Sequence, residues 1–345
     1  MSHFQSLSFS LACFVGFLFL AACFDEAKED SASGDAVDSS PTPEQDSSNK
    51  TAPTSPTAVV PKAPLPSPPP PPNFTPPPPP TSLPPQVAQP PQSPQVARLQ
   101  AILRKANPDY QGQGQFVEEN GEIVGGQLPG CGLRDLSPLK GLKLMGLDIS
   151  DNPVREIRHL NGMPLRSLYA ENTQIKDLTP LKGAPIGELR LNGCPIETLA
   201  GLEGMPLQSL YLPLTKVKDL SALAGSQVRQ LWLNDAPVSD LSPLAGTPIV
   251  SLTLLRTQVS DLSFVRKLPV IQRLHIGDTL ITDLSPLKGV PLSRLVFTPS
   301  KVTKGMEFAR QIFGLREIGV RFDDGARELM PPDHFWERFD KGEFR

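Results

Sequence analysis

Asp135-Leu136-Ser137-Pro138-Leu139 recurs as Asp177-Leu178-Thr179-Pro180-Leu181, as Asp240-Leu241-Ser242-Pro243-Leu244 and as Asp283-Leu284-Ser285-Pro286-Leu287. Degenerate copies begin at Glu156, Thr198, Asp219 and Asp261, so the motif returns every 21 residues from 135 to 261, then after 22 at 283. A self-similar period of this size marks an array in which each unit buries its apolar face against the next. Between copies runs a short alternation: Leu147-x-Ile149, Leu168-x-Ala170, Leu189-x-Leu191, Leu210-x-Leu212, Leu231-x-Leu233, Leu252-x-Leu254, Leu274-x-Ile276 and Leu295-x-Phe297. Apolar alternation over a few residues is the signature of a half-buried strand. One strand and one turn segment per period predict an α/β repeat solenoid. Its strands form a parallel concave sheet, and 21 residues leave room only for 3-10 turns on the convex side.

Each position in the period has a physical task. The alternating leucines face the core. A small or polar column follows the strand: Cys131, Asn152, Thr173, Cys194, Thr215, Ala236, Thr257, Thr279 and Ser300. Such side chains can satisfy backbone groups that the turn would otherwise bury unpaired. Leu133, Val154, Ile175, Ile196, Val217, Val238, Val259 and Ile281 return to the core. The aspartate then accepts from backbone N–H groups at the start of a short helical turn, and proline sits where its missing donor costs little. Cys131 and Cys194 share one position three repeats apart. Strand spacing puts them roughly 14 Å apart, beyond the ~7 Å a disulfide allows, so both are expected to be free, buried thiols.

Outside the array the composition changes. Of the 41 prolines, 22 lie between Pro41 and Pro94, with five-proline runs at Pro68–Pro72 and Pro76–Pro80. Such a tract cannot build a core and reads as an extended tether, reaching up to roughly 170 Å as polyproline II. Its PxxP sequences can be read as ligands for aromatic grooves, but composition alone creates them. Asn49-Lys50-Thr51 and Asn73-Phe74-Thr75 match the glycosylation sequon. Residues 1–96 carry three basic and eight acidic side chains, net −5, and the remainder is net +2. A near-neutral domain has no electrostatic footprint for nucleic acid.

The expected organisation is a signal segment over 1–22, an acidic and proline-rich tether over 23–96, and an N-terminal cap over 97–134. Repeats follow over 135–303 and a C-terminal cap over 304–345. Val96, Leu99, Ile102 and Leu103 predict one apolar helix face, followed by hairpin strands near Phe116–Val117 and Ile123–Val124. At the other end a helix is expected over Lys304–Phe313, a last strand over Leu315–Val320, and a helix over Pro331–Asp340 with Phe335, Trp336 and Phe339 inward. Caps are needed because open solenoid ends expose core and sheet edge.

Leu7 to Ala22 is almost wholly apolar or small and ends in Leu20-Ala21-Ala22-Cys23, with Asp25 and Glu26 following. The stretch fits a signal-peptide core, and the tetrapeptide resembles the lipobox of bacterial lipoproteins. That resemblance implies lipidation of Cys23, a membrane anchor through the N-terminal lipid, and an extracytoplasmic cell-envelope location. It also makes the two sequon matches accidental. The n-region lacks Lys and Arg, which leaves plain secretion or an uncleaved anchor as alternatives.

The pattern V-x-D-L-S-P-L-x-G-x-P-L-x-x-L-x-L resembles the short leucine-rich repeats of internalins. It also resembles the arrays of planctomycete-type leucine-rich repeat proteins, some of which carry kinase domains. No glycine-rich phosphate loop, HRD-type or DFG-type sequence is present here. The resemblance covers about residues 97–345, includes the opening Leu103–Pro108 and the closing Met330–Phe344, and implies a protein or peptide partner on the concave sheet.

Candidate site residues follow from strand alternation, since the residue between two core leucines points to the opposite face. That column reads Asp148, Tyr169, Arg190, Tyr211, Trp232, Thr253, His275 and Val296. Ser167, Glu171, Glu188, Asn192, Gln230 and Asn234 flank it. Tyr, Trp and Arg are the usual anchors of interfaces, so Tyr169, Arg190, Tyr211, Trp232, Thr253 and His275 are the expected partner-binding residues. The competing reading is that the rings stack across strands and only stabilise the sheet, which would leave a structural spacer or envelope scaffold. A third reading, a wall-acting enzyme, has only the isolated acids Asp148, Glu171 and Glu188. His159, His275 and His334 lack metal-ligand spacing, and no GxSxG or Walker loop occurs. No catalysis, metal or cofactor is therefore expected. Turn chemistry accounts for the acidic clusters Asp148/Asp151/Asn152 and Asp323-Asp324-Gly325.

Overall fold

The computed structural model describes residues 93–322 and 327–344. The signal segment, Cys23, the tether through residue 92 with its sequons, and Asp323-Asp324-Gly325 lie outside the described residues, while residues 93–96 of the expected tether form the cap and first turn of the first helix. The chain divides into two units, Met1–Gln89 and Pro90–Arg345, and the described residues all lie in the second. Among the described residues no helix is long and apolar enough to cross a membrane.

Helix α1 spans Pro94–Ala106, with Ser93 as N-cap accepting from the Val96 N–H. It is followed by an antiparallel hairpin of β1 (Gln115–Glu119) and β2 (Glu122–Gln127). Each repeat then contributes one three-residue strand: β3 Gly146–Asp148, β4 Ser167–Tyr169, β5 Glu188–Arg190, β6 Ser209–Tyr211, β7 Gln230–Trp232, β8 Ser251–Thr253, β9 Arg273–His275 and β10 Arg294–Val296. Then come α2 (Met306–Arg310), β11 (Glu317–Phe322), β12 (Arg327–Met330) and α3 (Pro332–Asp340). The strands form one sheet in chain order, parallel from β2 through β11, with an antiparallel strand at each edge. This is the repeat solenoid that the 21-residue period predicts.

The alternating residues Leu147, Leu168, Leu189, Leu210, Leu231, Leu252, Leu274 and Leu295 are all fully or almost fully buried in one continuous core. Opposite the strands sit short 3-10 turns at Ser137–Leu139, Arg158–Leu160, Thr179–Leu181, Ser221–Leu223, Ser242–Leu244, Ser263–Lys267 and Ser285–Leu287. The copy at Thr198 makes a turn without a 3-10 helix. Its Gly201 has φ +100, and a Cβ there would lie 2.7 Å from the Leu178 carbonyl oxygen. Asp135, Asp177, Asp219, Asp240, Asp261 and Asp283 each accept the N–H of the Ser or Thr two residues on, at 2.7–2.9 Å. The aspartate thus stands one residue ahead of the helical cap and closes the approach to the turn.

The small polar column is a hydrogen-bonded ladder. Asn152 accepts from the Leu133 N–H at 2.9 Å and donates to the carbonyls of Leu128, Ile149 and Ser150 at 2.7, 2.9 and 3.0 Å. Thr173, Thr215, Thr257 and Thr279 each donate to the carbonyl three residues back. The thiol of Cys194 donates to the Ala170 carbonyl at 3.0 Å, and Cys131 and Cys194 are both free and buried. Burial pushes the Cys131 thiol up to about 11 and raises Cys194 as well.

A second column was not foreseen. Gly130, Asp151, Asn172, Gly193, Leu214, Asp235, Arg256 and Asp278 all have positive φ. They stand at one position of the repeat, directly ahead of the ladder residue, where the chain leaves the strand.

The caps differ from expectation in detail. Val96, Leu99 and Leu103 are buried, but Ile102 is 54% exposed. Gln100 takes the inward place and donates to the Gly114 carbonyl. Asn107 ties the cap to the first repeat: its side-chain oxygen accepts from the N–H groups of Arg134 and Asp135, and its amide donates to the Asp135 carbonyl. At the far end, α2 covers only the middle of the expected helix, and β12 follows β11, so Leu315–Val320 is not the last strand. Phe335 and Trp336 of α3 are buried and Phe339 is partly buried against the core, with Phe335 stacked on Phe344 at 4.9 Å.

Candidate functional site: the open face of the sheet

The lateral register places the last residues of the three-residue strands side by side: Asp148 beside Tyr169, then Arg190, Tyr211, Trp232, Thr253, His275 and Val296. Every expected site residue from Tyr169 to His275 therefore lies in one row. The row is less open than alternation alone implies. Tyr169 is 7% exposed, Thr253 4% and His275 3%, while Arg190, Tyr211 and Trp232 are half-buried. Strands stand only ~4.8 Å apart, less than the width of an aromatic ring or a guanidinium, so each large side chain covers its neighbour.

Over β4 to β7 the row is a continuous stack. The Arg190 guanidinium lies over the Tyr169 ring at 4.5 Å and the Tyr211 ring at 5.0 Å. Glu188 holds it in place, accepting from Arg190 Nε at 2.8 Å and pairing with Nη2 at 2.7 Å. Tyr211 meets Trp232 at 5.5 Å between centroids. Burial raises the phenol pKa of both Tyr169 and Tyr211, so both rings stay neutral donors. The acids are also engaged. Asp148 accepts from the Ser150 N–H at 2.9 Å, and Glu171 accepts from Asn192 Nδ2 at 3.0 Å. Burial pushes the Asp148 carboxyl above the usual carboxylate range.

Beyond Trp232 the face dips into an open recess of about 190 Å³. Thr253, His275 and Val296 belong to the row at its floor, and Trp232, Phe322 and Arg273 also line it. Gly277 lets the imidazole of His275 lie close to the chain: a Cβ there would fall 2.8 Å from Nε2. Arg294 stacks on Phe322 at 4.7 Å and donates through Nε to Glu317 at 2.6 Å. Sequence reasoning missed Arg273 and Phe322. Arg273 and Arg294 are consecutive arginines at the first strand position, a signal passed over by following the last strand position alone. Phe322 comes from β11, where the repeat period has ended.

No protein-family model matches the chain, and no curated protein matches it. Among solved structures, an internalin (InlF) from Listeria monocytogenes is similar at 21% identity over 65% of this chain and 73% of that one, with a TM-score of 0.47. An internalin C2 from the same species is 30% identical over 51% of this chain and 71% of its own, with a TM-score of 0.38. The ectodomain of the plant membrane receptor kinase GASSHO1/SCHENGEN3 from Arabidopsis thaliana, in complex with Casparian strip integrity factor 2, is 13% identical. That match covers 60% of this chain and 37% of that one, with a TM-score of 0.40. One short parallel strand per 21-residue unit, a convex 3-10 turn and a ladder of Asn, Thr and Cys side chains make the chain an internalin-like leucine-rich repeat protein.

Proposed function

We propose that this protein is a lipid-anchored, extracytoplasmic binding protein that engages a protein or peptide partner on the open face of its sheet. The observation that carries the reading is the Tyr169–Arg190–Tyr211–Trp232 stack, a preformed row of the side chains that dominate interface energetics. With Arg190 already fixed by Glu188, little side-chain entropy is left to lose on binding. The lipid anchor rests on Leu20-Ala21-Ala22-Cys23. Its test is the mass of the purified protein: a diacylglyceryl-sized increment on the peptide that begins at Cys23, absent in Cys23→Ala.

The binding test is capture of partners from extracts of the producing cell's envelope, with the wild-type chain and a Tyr211→Ala/Trp232→Ala variant as matched baits. Circular dichroism establishes that both are folded. A partner taken by the first and lost from the second places binding on the stack. Equal capture by both moves the site elsewhere. The burial of Tyr169 favours a second reading, that the stack chiefly stabilises the sheet through cross-strand contacts. In that case the variant loses stability and no partner is captured by either bait.

A further inference from the structure

The recess beside the stack has a chemistry of its own. Of the two arginines that line it, Arg294 is paired with Glu317 and covered by Phe322. The half-buried guanidinium of Arg273 has no ion-pair or hydrogen-bond partner among the described residues. An unpaired guanidinium presents a planar fork that matches a carboxylate. Trp232 and Phe322 supply rings to its lining, and the polar groups there besides the arginines are Gln230, Ser251, Thr253 and His275. The indole N–H of Trp232 is enclosed and also lacks a hydrogen-bond partner among the described residues. A volume of about 190 Å³ suits one side chain rather than a folded element.

We propose that this recess binds a glutamate or aspartate side chain of the partner, its carboxylate on Arg273 and its methylene stem between Trp232 and Phe322. The assignment deepens the proposed function, since it takes the open face as the binding surface and adds what one subsite selects. Charge complementarity commits it to an acidic side chain. Arg273 contributes an unmatched positive charge, and the carboxylates that share its first strand position from β3 to β11 are already taken, Glu188 by Arg190 and Glu317 by Arg294.

The test uses the full chain and three small probes, followed by the fluorescence of Trp232, with Trp232→Phe identifying the signal. N-acetyl-glutamic acid α-amide carries a side-chain carboxylate, N-acetyl-glutaminamide is its neutral isostere, and N-acetyl-leucine carries only a terminal carboxylate. The expected result is saturable, millimolar binding of the first, complete below about 50 mM, and at least tenfold weaker binding of the second. Arg273→Gln removes the preference and Arg273→Lys retains part of it, with melting temperatures unchanged. Equal response to glutamate and glutamine probes, a preference that survives Arg273→Gln, or no saturable response each overturns the assignment. Tighter binding of N-acetyl-leucine than of the glutamate probe overturns it in favour of a chain terminus. Failure here with stack-dependent partner capture intact removes the subsite and leaves the proposed function standing.

Discussion

Asn152→Ala is expected to be among the most damaging single truncations in the array, although it removes one small side chain. Asn152 is 1% exposed and joins four backbone groups: the Leu133 N–H and the carbonyls of Leu128, Ile149 and Ser150. Alanine leaves the Leu133 N–H buried without a partner, which alone costs about 1–3 kcal/mol. The amide bonds to carbonyls contribute about 1 kcal/mol more. Thr215, on the same ladder, makes one such bond, to the Leu212 carbonyl at 2.8 Å. Thr215→Val keeps the shape and removes that bond, for about 1 kcal/mol. The expected destabilisations are therefore ~2–4 kcal/mol for Asn152→Ala against ~1 kcal/mol for Thr215→Val. Urea unfolding followed by circular dichroism measures both, and the slope should stay constant if only the native state is weakened. Comparable midpoints for the two variants would refute the view that the Asn152 rung carries a larger share of backbone satisfaction. A transition that splits in Asn152→Ala would instead show end repeats loosening first.

Three further outcomes follow from the same structure. Leu214 is 63% exposed at φ +59, a conformation that costs an ordinary side chain roughly 1–2 kcal/mol. Leu214→Asn should gain about 1 kcal/mol and raise Tm by ~2–4 °C; an unchanged or lower Tm in a calorimetric scan counts against strain at that column. Asp148 has its pKa raised by burial, so its charge opposes folding above the ordinary carboxylate pKa. Asp148→Asn, which keeps the acceptor for Ser150, should raise Tm at neutral pH, and the gain should shrink as pH falls towards 4 and below. Asp135, Asp177, Asp261 and Asp283 are lowered chiefly by bonds from the following Ser or Thr side chain, Asp240 by the Ser242 N–H, and Asp283 reaches about 2. Depressed carboxylates stabilise the fold above their unfolded pKa near 4 and lose that contribution on acidification towards 2. Asp240→Asn should flatten the acid limb of a pH-stability curve, and an unaltered limb would remove these turns from the acid response.

How far the sequence could be read depended on which interactions repeat. The core leucines, the strand positions and the Asn/Thr/Cys ladder recur every 21 residues, so each copy checks the others. The row from Tyr169 to His275 was legible for the same reason, because strand alternation fixes its face. Its burial was not, since covering Tyr169 depends on Arg190 folding across a neighbouring strand. The positive-φ column was half visible: Gly, Asp and Asn fill it except at Leu214 and Arg256, which hid the pattern. The caps break the period. That is why Ile102 was assigned inward in place of Gln100, why β12 was missed, and why Phe322 could not be placed on the recess.

The stack and the recess make opposite demands on a ligand. In the stack each charge is answered within the protein: Arg190 lies between two tyrosines and is pinned by Glu188. A partner meeting it gains contact area on a surface already ordered, and charge on the partner has little to add. In the recess, Arg273 lacks a partner among the described residues, so the gain there comes from one correctly placed acceptor. Affinity and selectivity should therefore separate on mutation. Tyr211→Ala should weaken an acidic and an isosteric neutral partner peptide by the same factor, because it removes contact area alone. Arg273→Gln should weaken only the acidic one. Trp232 belongs to both regions, stacking on Tyr211 and walling the recess, so Trp232→Ala should reduce both affinities and the ratio between them.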